Sequence, residues 1–241
     1  MRFLYLDDAG TSRHETHAVV AGVLVHADGQ LIPLEMKLQE LVNKHIPVEM
    51  QDGFAFHMTN IWSGTGAFKD RQTWPIERRV AIMKDLCLVP SDLTLTIVQG
   101  CVKKEAQRLA YPGMSASDLD QLHHATAFAR CELAAESLMR QRFPTEVLQI
   151  VAEDSPIVKK RISDNHALFS DSAALQKIGI DRPDTAYRHV KNDVLFSGKR
   201  SRALQVADVC AFFLRAQLAG MKKVDEYYSK LSPMMAFDLY G

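Results

Sequence analysis

The chain predicts an α/β fold, a mixed central sheet flanked by helices. Three observations carry that expectation. Apolar, β-branched runs of strand length recur along the 241 residues. Amphipathic segments of helical period stand between them. No repeat, low-complexity linker or composition shift divides the sequence, so one domain is expected over 1–241. Strands alternating with crossover helices imply a partly parallel sheet.

Element by element, "RFLYLDD" (2–8) reads as the first strand and "HAVVAGVLVH" (17–26) as the second, with a turn at Asp28-Gly29. Leu34, Leu38, Leu41 and Val42 form one stripe of a helix over 33–45. "FAFHMTNI" (54–61) reads as a short strand, and "WSGTGAFKD" (62–70) as a loop of small residues without phosphate-loop spacing. Pro75 opens a helix over 75–89 and Pro90 is expected to stop it. A strand over 93–102 and a long helix over 117–142, begun by Ser117, come next. A strand at 146–156, a short helix and irregular stretch after 157, and an extended "YRHVKNDVLF" (187–196) follow. Two helices, 201–220 and 222–231, close the order.

Composition narrows the function classes. Apolar residues make up 47% and charged ones 24%, so a packed core rather than disorder is expected. Twenty-nine basic and 29 acidic residues cancel, which argues against nucleic-acid binding through bulk charge and leaves room only for a local basic patch. The four cysteines lack Cys-x-x-Cys spacing and sit in apolar surroundings, as buried thiols of a reducing compartment do. No apolar run approaches the ~18 residues of a membrane span. Only four apolar residues separate Arg2 from Asp7, too few for a secretory leader. A cytoplasmic location is the expectation.

The first strand raises the functional question, because it runs straight into Asp7 and Asp8. An unpaired carboxylate costs several kcal/mol to desolvate. Strand period is two, so Tyr5 and Asp7 share one face while Leu6 and Asp8 share the other. One acid is expected at a site, the other in a turn or ion pair. Glu153 and Asp154 are split by the same rule, without a choice between them. Asp208 interrupts "LQVADVCAFFL", a segment apolar almost all round. Such an acid is paired, protonated or bound to a cation. Arg215, Lys199, Arg200 and Arg202 are its candidate ion-pair partners. Gln205, Ser201 and Arg215 lie near its line on the helix, bordered by Leu204 and Phe212. Carboxylates on two strands and a helix are the donors a hard cation such as Mg²⁺ takes, and such ions activate water against phosphodiesters.

These motifs resemble a prokaryotic family, domain of unknown function 3800, of the ribonuclease H-like superfamily. Its members open Tyr-Ile-Asp-Glu-Ser-Gly, here "YLDDAG" (5–10), and close with Ser-Lys-x-Ser leading into Gln-x-Ala-Asp, here "SGKRSRALQVADV" (197–209). "FAFHMTNI" with His57 and "IVAEDSP" are similar to its middle stretches. The resemblance implies a ribonuclease H-like layered fold. It also implies a metal-dependent, nuclease-like hydrolase using Mg²⁺ or Mn²⁺ on a phosphodiester in RNA or DNA, or on another phosphodiester or small phosphate ester, among which the residues do not choose. Asp7, one of Glu153 and Asp154, and Asp208 are then the metal and catalytic acids. Lys199, Arg200, Ser201, Gln205 and His57 are expected to meet substrate. The chain departs from the pattern at Ala9, Gly198 and Phe56, where the family carries Ser, Ser and Glu. Loss of those polar groups suits the alternative, a catalytically inactive module that binds nucleic acid or a protein partner.

Other residues have blander expectations. His14 and His17, three apart, read as solvated loop residues rather than metal ligands. Adjacent His123 and His124 face different ways on a helix, one expected at the core edge and one at the surface. "GKRSR" (198–202) suits phosphate contact or a solvated run equally, and "VKKR" (158–161) a solvated helix face.

Overall fold

The computed structural model describes residues 1–156, 158–159, 162, 166, 187–198 and 200–236. Strands β1 (Arg2–Ala9) and β2 (His17–His26) are followed by helices α1 (Leu31–His45), α2 (Met58–Ser63) and α3 (Ile76–Asp92). Strand β3 (Thr96–Lys103) leads into α4 (Lys104–Ala110) and α5 (Ala116–Arg142). Strands β4 (Leu148–Glu153) and β5 (Val190–Ser197) precede α6 (Arg202–Leu218) and α7 (Asp225–Leu231).

The sheet has the order β3-β2-β1-β4-β5. β1 pairs antiparallel with β2, and β2 with β3. β4 runs parallel to β1, and β5 parallel to β4. The fold is therefore α/β, a layered arrangement with a mixed central sheet flanked by helices. Among the described residues no helix is long and apolar enough to cross a membrane.

Period-two alternation sorts the core into two clusters. Tyr5, Ala21, Val23, Val25, Ile97 and Val151 face the layer of α1, α3, α6 and α7. Leu4, Leu6, Val20, Leu24, Val98 and Ile150 face α5. On the second face α5 lies unusually close. A Cβ on Gly100 would fall 1.9 Å from the Ala127 carbonyl oxygen, so only glycine permits this approach.

Several boundaries differ from expectation. The expected strand at 54–61 is extended only to His57, then turns into α2, whose end is closed by Gly64 at φ +64°. Pro90 does not stop α3, which runs two residues further. Proline removes the one N–H that would bond the Leu86 carbonyl, and the helix ends two residues later. α4 is unexpected from a polar sequence; it forms with Lys104 buried and donating to the Ser12 carbonyl at 2.8 Å. His123 and His124 are both buried, at 0% and 1% exposure, where one surface position is expected from the sequence. The close seating of α5 explains this. The expected helix and irregular stretch after 157 fall largely outside the described residues.

Candidate active site

The phase of β1 decides the opening pair. Asp7 continues the Phe3–Tyr5 face toward α6, and Asp8 continues the Leu4–Leu6 face toward α5. Asp8 Oδ2 lies 3.1 Å from His124 Nδ1, an ion pair when the imidazole is protonated. On β4, Glu153 follows Val151 on the Asp7 face. Leu6 pairs with Ala152, so Asp7 and Glu153 fall side by side near the carboxyl ends of adjacent parallel strands. Ligands of open α/β sheets bind beyond such carboxyl ends. Asp154 points elsewhere: it is half-exposed and pairs with Lys159 at 2.7 Å.

Asp208 approaches from α6. Its Oδ2 accepts the Met58 N–H at 2.7 Å, at the start of α2, and His57 Nδ1 stands 4.0 Å away. Arg215, a candidate partner of Asp208, is turned to Glu15 at 3.0 Å. Arg202 is also engaged elsewhere, with the Phe54 carbonyl and Gln39. Asp7, Asp8, Glu153, Asp208 and Glu15 line one cavity of about 630 Å³. Burial pushes the Asp7 carboxyl well above the ordinary range, and the charges of Asp208, Asp8 and Glu153 push it further. The backbone N–H of Asp8 opposes this only in part.

The expected substrate residues divide. His57 lines the cavity, its Nδ1 buried without a hydrogen-bond partner. Gln205 also lines it, 3% exposed; its amide accepts the Phe56 N–H at 3.0 Å and donates to the Arg200 carbonyl at 3.3 Å. That bond fastens the 54–57 segment to α6. Ser201 caps α6 without a side-chain cap bond, and exposed Arg200 lies against Gly53. Neither lines the cavity. Lys199 lies outside the described residues.

The sequence does not announce the cavity's other walls. Trp62, Phe56, Phe212 and Met221 supply apolar surface, and Glu15 and Arg215 close the rim. Phe212 stands one turn after Asp208, a spacing visible in the sequence. Trp62 is hidden in a stretch that reads as loop. Gly10 turns the chain into the rim loop at φ +82°, where a Cβ would sit 2.0 Å from the His17 carbonyl oxygen.

The donor set suits a hard divalent cation: carboxylate oxygens in a cavity where their mutual repulsion raises one pKa. Among the described residues, however, no three His, Cys, Asp or Glu side chains are drawn together as closely as a formed metal site requires.

No family model matches this chain, and no curated protein matches it, so the family resemblance rests on the quoted motifs alone. Among solved structures, the chain is similar to a crystal structure of a mutant Bst-RNase HIII at 12% identity and a TM-score of 0.45. The match covers 90% of this chain and 52% of that one, so this chain spans about half its length. Such a likeness carries no activity across.

Proposed function

We propose that the chain is a divalent-cation-dependent phosphodiester hydrolase, nuclease-like in reaction, acting on RNA or DNA. The observation that supports this most is the meeting of Asp7, Glu153 and Asp208 in one cavity, where like charge and burial raise Asp7. A folded chain keeps such repulsion when a ligand relieves it. Asp7, Glu153 and Asp208 would hold Mg²⁺ or Mn²⁺. When bound, such an ion polarises a phosphoryl oxygen and lowers the pKa of water. The chain's own residues do the rest. The Met58 N–H orients Asp208. Gln205 fixes the segment carrying His57, which stands where it can donate to a phosphate oxygen or a leaving group. Arg200 and Ser201, which lead into α6, would meet phosphates beyond the cavity, where a helix N-terminus favours anions. Asp154 falls away from this set because it is exposed and paired with Lys159.

One observation favours a second reading, a catalytically inactive module that binds nucleic acid or a protein partner: the acids are not drawn into a formed three-ligand cluster. Labelled single- and double-stranded RNA and DNA, incubated with Mn²⁺, separate the two. The hydrolase reading expects cleavage that Asp208→Asn and chelation abolish. Cleavage equal in wild type and Asp208→Asn sinks it, and no cleavage of any substrate favours the inactive module.

A further inference from the structure

We infer that the cavity receives an unpaired nucleotide, its base stacked on Trp62 and its phosphate directed toward the carboxylate end. This rests on the hydrolase reading of the same cavity and adds the substrate class.

Shape and lining carry the argument together. A volume of about 630 Å³ lies within the roughly 300–1,000 Å³ of pockets that enclose small ligands. A backbone phosphate running past a row of acids needs no such depth. Nor does it need an aromatic wall, yet Trp62, Phe56 and Phe212 share the cavity with Asp7 and Asp208. A nucleobase needs both, since it is flat, apolar on its faces and bulky. In a duplex the bases stay stacked inside, and this wall would meet nothing.

Trp62 is built as a rigid platform. Arg79, 3% exposed, donates from Nη1 to the carbonyls of Ile61 and Trp62 at 2.7 and 2.8 Å, locking the end of α2. The rings of Phe213 and Tyr227 meet the indole at steep angles, with centroids 6.3 and 6.5 Å away. The indole is nonetheless only half-buried, which leaves it surface to offer. Arg215 supplies the complementary charge. It is the only Arg or Lys lining the cavity among the described residues, and its guanidinium sits 5.0 Å over the Phe212 ring, held by Glu15. A phosphate flanking the stacked base would compete with Glu15 for it.

The test measures binding in Ca²⁺, using short fluorescein-labelled oligouridylate and oligothymidylate, the same strands annealed to their complements, and unlabelled uridine and thymidine monophosphates as competitors. Indole emission of the unlabelled complex reports on Trp62, because the other tryptophan, Trp74, is 1% exposed and packed on Phe68. The expected results are quenching by a single strand and at least roughly tenfold tighter binding than of its duplex. Trp62→Leu is expected to weaken that binding about tenfold, and Trp62→Phe to retain it. Displacement by a monophosphate marks the free nucleotide as sufficient, and no displacement marks a strand as required; both agree with an unpaired nucleotide. Duplex bound as tightly as single strand, or Trp62→Leu without effect, overturns the inference. Cleavage that needs Asp208 while Trp62→Leu is silent removes this inference alone. Stacking without cleavage in Mn²⁺ removes the hydrolase reading alone.

Discussion

Asp7 and Asp8 are neighbours in the chain and meet opposite fates. Asp8 faces α5, where His124 stands 3.1 Å away. Asp7 faces α6, where Asp208 and Glu153 await it. The contrast extends over both faces of the sheet. On the α5 face, buried acids are answered. Glu136, 1% exposed, accepts from Arg140 at 2.8 Å, from the His189 ring at 3.0 Å and from the backbone N–H groups of His189 and Val190. Burial alone would raise its pKa; those bonds outweigh it and draw the group down to about 2. On the α6 face, acids meet acids and Asp7 is driven the other way. An acid whose pKa falls on folding stabilises the fold, whereas one whose pKa rises keeps a cost that protonation or a bound cation relieves.

The largest effect that sharpens this contrast is at Asp7. Asp7→Asn is expected to abolish cation-dependent hydrolysis, by roughly a hundredfold or more, in a gel assay with Mn²⁺. The same variant is expected to melt higher than wild type without metal, because a repelled charge is gone. A lower melting temperature would break the comparison.

Next in size, Gly100→Ala strikes only the α5 face. The added methyl collides with backbone, not with a yielding side chain, so a loss of about 3 kcal/mol or more is expected in urea denaturation. Cation response should survive in the folded fraction.

Glu136 gives a comparable effect through pH. Its folded pKa lies below the ordinary value of 4.5, so its contribution is full above about pH 4.5 and fades as pH falls toward 2. The stake is on the order of 3 kcal/mol. Denaturation curves between these limits are expected to fall more steeply for wild type than for Glu136→Gln.

The smallest effect separates two adjacent acids of β4. Asp154→Ala breaks an exposed pair with Lys159 and should change stability by less than about 0.5 kcal/mol, leaving hydrolysis intact. Glu153→Gln should cut hydrolysis sharply. Equal effects at both positions would show that strand phase does not select the acid.

Much of this is legible in the chain, and the reasons for the rest are physical. Period two alone separates Asp7 from Asp8. It cannot choose between Glu153 and Asp154, because the choice depends on the phase of β4 against β1, fixed by the pairing of Leu6 with Ala152. Asp208 stands out as an acid in an apolar helix. Its anchor, the Met58 N–H, does not, since α2 begins without a side-chain cap on a segment rich in strand-forming residues. His124 as the partner of Asp8 lies beyond reach, 116 positions away and placed only by the close contact at Gly100. Trp62 joins the cavity through Arg79, a tertiary bond that no local pattern announces.

The most direct test of the central claim, that the acids of the α6 face form a cation site, is thermal melting of wild type and Asp7→Asn across a Mn²⁺ titration. At a hundredfold excess over the dissociation constant, binding to the folded state alone adds about 2.7 kcal/mol, or about 5–10 °C for a chain of this size. That gain is expected for wild type and none for Asp7→Asn, which should start higher and stay flat. A wild-type curve unmoved by Mn²⁺, or an equal gain in both proteins, would contradict it.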